Sequence, residues 1–199
     1  MKQQEKLSGD NKRKLVIFLH KITKNVKNNI GDNMYYINSF FIYSVIGFLM
    51  ESALYKIFSI DNYSGFLSGP ITPVYGIGVL IILITNKYII EKIKTNRFLK
   101  IIISFFVFAI LLSLIELLGG VLLKELLNVE LWNYSNKKYN IGKYMCLELA
   151  LVWGVFSLLF IYFIKPFMDR FIKKIPKKAT YVFIIAFAID IIYSLIFKY

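Results

Sequence analysis

The chain has 199 residues and a formal net charge of +13, with 57% hydrophobic and 17% aromatic residues. A mean hydropathy of +0.59 and apolar residues gathered in blocks rather than in alternation exclude a soluble globular domain. One histidine and one cysteine are too few for a zinc site of the usual ligand types or an intramolecular disulfide, so neither metal nor cofactor is expected.

Residues 1–36 read as a basic cytoplasmic segment, and 37–199 as a transmembrane domain. Within the first, Leu15, Phe18, Ile22 and Val26 recur at helical spacing, flanked by Lys14, Lys21, Lys24 and Lys27. That pattern predicts a basic amphipathic helix lying in the anionic cytoplasmic leaflet; docking on a partner protein or on loops of this chain is the alternative. The first apolar block starts too late for a signal peptide and lacks a convincing cleavage site, so it is expected to be a retained anchor.

Five apolar blocks follow, at about Ile37 to Tyr55, Ile71 to Ile90, Leu99 to Leu123, Tyr144 to Phe167 and Thr180 to Phe197. Each is near or above the roughly 20 residues that a spanning helix needs. Stretches such as Ile101-Ile102-Ile103-Ser104-Phe105-Phe106 lack a polar face, which a soluble bundle would require. The expected fold is therefore all-α, a polytopic bundle of about five membrane helices with the N-terminal amphipathic helix. Lysines and arginines concentrate before the first span, in the second connection (Lys87 to Lys100) and in the fourth (Lys165 to Lys178). The positive-inside rule then puts the N-terminus in the cytoplasm and the C-terminus outside. A basic face against anionic lipid accounts for the charge, and no nucleic-acid partner is expected. High Ile, Lys and Asn usage suggests an AT-rich bacterial genome, hence a bacterial cytoplasmic membrane.

The first connection, Asp61 to Gly78, carries Gly65, Gly69, Pro70, Pro73, Gly76 and Gly78 around apolar Phe66 and Leu67. Apolar residues in a turn-rich loop predict a re-entrant or capping segment, since non-helical backbone at membrane depth must be covered by protein or line a wet cavity. In the third connection, Trp132 and Tyr134 fit an interfacial aromatic belt or a lid over the same outer vestibule.

Four carboxylates lie in or beside the apolar blocks: Glu51, Glu116, Glu148 and Asp190. A charge at the bilayer centre costs roughly 2.5–3.5 kcal/mol on insertion scales, so such residues tend to face a bundle interior. Ser44, Gly47 and Glu51 share one helical face, and Ser113, Glu116 and Gly120 repeat that spacing. These matching stripes predict that the first and third spans pack together around a polar cavity. The competing reading is that each carboxylate fixes helix packing by bonding a Tyr, Ser or backbone group. Asp190 and Glu148 divide evenly between the two.

The runs Phe41-Ile42-Tyr43-Ser44-x-x-Gly47-x-x-x-Glu51 and Gly65-Phe66-Leu67-x-Gly69-Pro70-x-x-Pro73-x-Tyr75-Gly76-x-Gly78 resemble the ABC-transporter permease family known as CmpB or type IV. Glu116, Trp132-x-Tyr134-Ser135, Asn140-Ile141, Cys146-Leu147 and Trp153-Gly154 extend the resemblance over about residues 36 to 170. The sequence departs from that pattern at Tyr63-Ser64, where Asn-Arg is expected, at Asn133, where Asp is expected, and at Lys143-Tyr144. The resemblance implies a small bacterial multi-pass membrane protein moving a small solute. The residues expected to contact that solute are Glu51, Glu116, Glu148, Tyr43, Gly65, Gly69, Tyr75, Trp132 and Tyr134. No phosphate-binding loop is present, so any ATP-driven step needs a separate ATPase subunit, and the chain itself would act with that partner or as a homodimer. No nucleophile or metal set points to an enzyme. An accessory subunit of a larger complex and an intramembrane enzyme using paired carboxylates are the other two readings.

Overall fold

The computed structural model describes residues 33–57 and 67–198. The predicted amphipathic helix, Gly65 and Phe66 lie outside the described residues. Contacts divide the chain into two compact units, 1–37 and 38–199. The second contains the membrane bundle, and the first span begins a few residues before it.

Among the described residues, five helices are long and apolar enough to cross a membrane. Helix α1 runs Asn33–Ile57. Helix α2, Pro73–Tyr88, starts with proline in its first turn, where the missing N–H has no intrahelical acceptor to lose. It continues into one tighter turn at Ile90–Lys92, tied back by the Asn86 side-chain amide donating to Glu91 at 2.8 Å. Helix α3, Arg97–Leu127, is opened by the Asn96 side chain, which accepts from the Leu99 N–H at 2.8 Å. It closes on Asn128 in the left-handed conformation (φ 55°), with the Asn128 and Val129 N–H groups donating to the Lys124 and Leu123 carbonyls.

Between α3 and the next span lies a short hairpin, β1 (Asn140–Ile141) against β2 (Met145–Cys146), antiparallel with Asn140 opposite Cys146. The fourth span is one apolar run, Leu147–Ile172. It comprises α4 (Leu147–Leu159), a widened turn at Phe160–Ile164 and α5 (Lys165–Ile172). Pro166 explains the widening: it cannot donate, and its ring crowds the carbonyl four residues back. Helix α6 is Lys177–Phe197. The expectation of an all-α bundle of five spans holds: the described residues are predominantly helical, and the two-residue strands are the sole sheet among them.

In lipid the apolar effect does not drive helices together, so close packing and interhelical hydrogen bonds carry the association. Both are present. Helix α6 presents Thr180, Phe183, Phe187, Asp190 and Ser194 to the protein, while Val182, Ile185, Ile189, Ile192 and Ile196 are each at least 58% exposed. Thr180 donates to the Asn38 side-chain oxygen of α1 at 2.7 Å, both groups buried. Phe187 packs edge-on against Phe40 and Phe41 of α1. Helix α3 lies along α4, where Gly154 admits the Phe105 ring; a Cβ there would come within 2.7 Å of it.

The small-residue stripes do not meet each other as expected. A Cβ on Gly76 of α2 would collide with the Ser44 hydroxyl and the Phe40 carbonyl of α1, and one on Gly47 with the Tyr75 ring. Gly120 of α3 is covered by Tyr144, and Gly119 lies beside Trp132. The glycines thus bring α1 against α2 and α3 against the aromatic loop. Small-residue spacing marks a close approach without identifying which neighbour makes it.

Candidate functional site

Where α2 begins decides what the bundle encloses. The Thr72 N–H donates to the Ser44 carbonyl at 3.1 Å, about 20 Å short of the end of α1 at 1.5 Å per residue. Residues 67–72 therefore lie well inside the depth of α1, as the apolar character of this connection predicted. Their polar backbone is satisfied there by α6. The Ser68 N–H donates to the Ser194 hydroxyl at 2.8 Å and the Gly69 N–H to the Asp190 carboxylate at 2.8 Å. The Lys198 ammonium donates to the Leu67 carbonyl at 3.3 Å. A Cβ at Gly69 would lie 2.6 Å from the second Asp190 oxygen, so glycine is what allows the carboxylate to reach the backbone. Burial pushes the Lys198 ammonium below its ordinary range, with the nearby Asp190 charge opposing that shift.

The late start of α2 leaves a cavity of about 620 Å³ bounded by α1, the start of α2, the second half of α3, the Leu131–Tyr134 loop and the α4 span. Its volume lies in the range of small-molecule sites. Most of its wall is apolar, including Ile46, Met50, Ile82, Leu112, Ile115 and Phe156. Set into that wall are Glu51 and Glu116, four tyrosines (Tyr43, Tyr55, Tyr75, Tyr134) and both tryptophans of the chain, Trp132 and Trp153. No Lys, Arg or His is among the described residues that line it.

Glu116 is the most constrained polar group here. It is 9% exposed. One carboxylate oxygen accepts from the Tyr134 hydroxyl at 3.1 Å, while the other has no hydrogen-bond partner. The Trp153 indole lies beside the same carboxylate, but its N–H makes no hydrogen bond of standard geometry. The Trp132 N–H and the Tyr43 hydroxyl, both on the cavity wall, are also unpartnered. Burial, then the adjacent Glu116 charge, pushes the Tyr134 phenol well above its usual range, which keeps it a donor.

The Tyr134 loop is itself held from outside the cavity. The Tyr134 N–H donates to the Lys143 carbonyl at 2.7 Å. Glu130 receives the Lys143 ammonium at 3.3 Å and the Tyr144 hydroxyl at 3.2 Å. The hydrogen bond from Lys143 is the chief reason that Glu130 sits below the usual carboxylate range.

Of the nine residues singled out from sequence, Glu51, Glu116, Tyr43, Tyr75, Trp132 and Tyr134 surround this one cavity. Glu148 does not line it and is exposed at the start of α4. Gly69 sits against Asp190, away from the cavity wall. Gly65 is outside the described residues. Trp153 was not singled out as a contact, although its position four residues before Ser157 and one before the helix-contact Gly154 marks an inward face of α4. Thr72 escaped notice because only the re-entrant backbone brings it to the wall.

Five candidate spans, four of which border a cavity set with carboxylates and aromatic donors, define a multi-pass membrane protein of transporter type. Over residues 38–198 the chain matches the family described as "Putative ABC-transporter type IV" (CmpB), and it belongs to that family. No curated protein and no solved structure matches it at a significant level.

Proposed function

We propose that this chain is the membrane-spanning subunit of a bacterial transporter and that its solute occupies the cavity around Glu51 and Glu116. The observation supporting this reading is the Glu116 carboxylate, nine-tenths buried, with one oxygen unpartnered at a cavity wall. Buried polar oxygens ordinarily have a partner, and one that faces a cavity can find its partner in a solute. Asp190 also keeps one oxygen unpartnered, but it lies off the cavity wall and its other oxygen holds the Gly69 backbone. With the N-terminus cytoplasmic, the polar end of the cavity, near the end of α1 and the start of α4, faces outward. Energy would come from a separate ATPase subunit, with the chain acting beside it or as a homodimer. The chain itself is read as having no catalytic role.

The test compares cells carrying the wild type with cells carrying Glu116→Gln, at matched levels of membrane-inserted protein. Their small-molecule contents, profiled by mass spectrometry, should differ in a defined set of solutes, and a nucleotide-binding protein should copurify with the wild type. Identical contents would end the transport reading. Identical contents together with a tightly bound membrane protein lacking ATPase motifs would establish an accessory subunit instead.

A further inference from the structure

We infer that the cavity selects a protonated organic amine: a single ammonium group on an apolar body that also carries a neutral oxygen acceptor. This inference rests on the reading of the cavity as a solute site and names the chemistry of its occupant. Three observations converge on it. First, the Glu116 oxygen that lacks a protein partner is nine-tenths buried on the cavity wall. An ionised carboxylate in apolar surroundings is costly unless it is paired, and none of the described wall residues supplies a cation. Second, Trp132, Trp153, Tyr43, Tyr75 and Tyr134 line the same space, and the faces of such rings attract cations, most strongly where water is excluded. Third, two donors on the wall, the Trp132 N–H and the Tyr43 hydroxyl, have no acceptor. An anionic solute could use those donors but would meet Glu116 and Glu51 with like charge. A neutral apolar solute would leave the Glu116 oxygen and these donors unsatisfied. An amine carrying an ether, hydroxyl or carbonyl oxygen answers both sets at once. The ammonium headgroup of a phospholipid offers the same charge, and the test separates the two sources.

Both tryptophans of the chain line the cavity, so the tryptophan emission of the purified full-length protein in detergent reports its occupancy. The probes are phenoxypropylamine, its neutral counterpart phenoxypropanol, its anionic counterpart phenoxypropanoate, and short-chain phosphatidylethanolamine set against matched phosphatidylglycerol. The amine should shift the emission saturably and bind at least about tenfold more tightly than the alcohol, the scale of one charge-assisted hydrogen bond. That preference should vanish in Glu116→Gln and survive in Glu116→Asp. A response confined to phosphatidylethanolamine, lost in the same variant, keeps the ammonium class and assigns the headgroup as its source. If the alcohol equals the amine, if the carboxylate binds best, or if no probe moves the emission, the inference is wrong. The wild-type probe series decides this even where a variant fails to fold. Amine binding without any effect of the protein on cell contents would remove the transport reading and leave the binding inference intact. Transport restricted to neutral or anionic solutes would do the reverse.

Discussion

The Tyr134 hydroxyl and the Glu116 carboxylate join the loop that follows α3 to the third span through a single hydrogen bond. Tyr134→Phe removes the donor, keeps the ring, and leaves a buried carboxylate with neither oxygen bonded to protein. Such a loss costs about 1–3 kcal/mol, and thermal unfolding of the detergent-solubilised protein should show it. An unchanged transition would mean that water already serves Glu116. Glycine positions give a second residue-scale prediction. Gly76→Ala forces a Cβ onto the Ser44 hydroxyl and the Phe40 carbonyl, a backbone atom that cannot turn aside. Gly78, half a turn later, would place its Cβ 3.4 Å from a flexible Leu112 methyl group. Gly76→Ala should therefore destabilise by about 1–3 kcal/mol. Gly78→Ala should be neutral or gain some of the roughly 1 kcal/mol by which alanine exceeds glycine in a helix. Equal effects at the two sites would contradict the close α1–α2 contact.

At the scale of elements, residues 67–72 depend on α6, because Asp190 and Ser194 satisfy backbone groups that no regular structure satisfies. Asp190→Asn keeps an oxygen for the Gly69 N–H and should be tolerated. Asp190→Leu strands that N–H and should loosen the segment, measured as faster proteolytic cleavage near Ser68 and lower thermal stability. If the two variants behave alike, the carboxylate is not what holds the loop. The Glu130 cluster gives a pH dependence. A carboxylate whose folded pKa is depressed stabilises above its unfolded value, near pH 4.3, and loses that contribution as pH falls through the folded value. The stability difference between wild type and Glu130→Gln should thus be complete at neutral pH and shrink through the acid range below about pH 4. A difference that persisted at lower pH would assign it to packing. The group is exposed, so the effect should also weaken in salt.

For the whole molecule, the proposed orientation, N-terminus inside and C-terminus outside, rests on five candidate spans and an alternating loop charge. A reporter fused after Tyr199 should be active only outside the membrane, and one inserted between Lys173 and Pro176 only in the cytoplasm. Both on one side would mean that a span does not cross. This matters for the cavity, since the proposed orientation would turn its polar end outward.

The number and type of elements were legible in the sequence because hydrocarbon thickness imposes a length and an apolar composition on every span. Their observed bounds differ from the expected blocks by a few residues: the second and fourth spans start later, at Pro73 and Leu147, and the others start earlier, at Asn33, Arg97 and Lys177. The carboxylates, too, stood out in the sequence, as charges inside apolar blocks have few reasons to exist. What the linear pattern could not convey was pairing. A stripe of Ser, Gly and Glu says that something approaches closely, yet Tyr75, Tyr144 and Trp132 all compete for such faces, and chain connectivity does not rank them. The separation of Glu116 from Asp190 likewise awaited tertiary structure. Both are acidic residues among apolar neighbours in the sequence, and only the re-entrant start of α2 presents a backbone N–H to Asp190 while leaving Glu116 at an open wall. Local composition fixes how deep each residue lies; which group meets it at that depth is decided by the packing of helices distant in sequence.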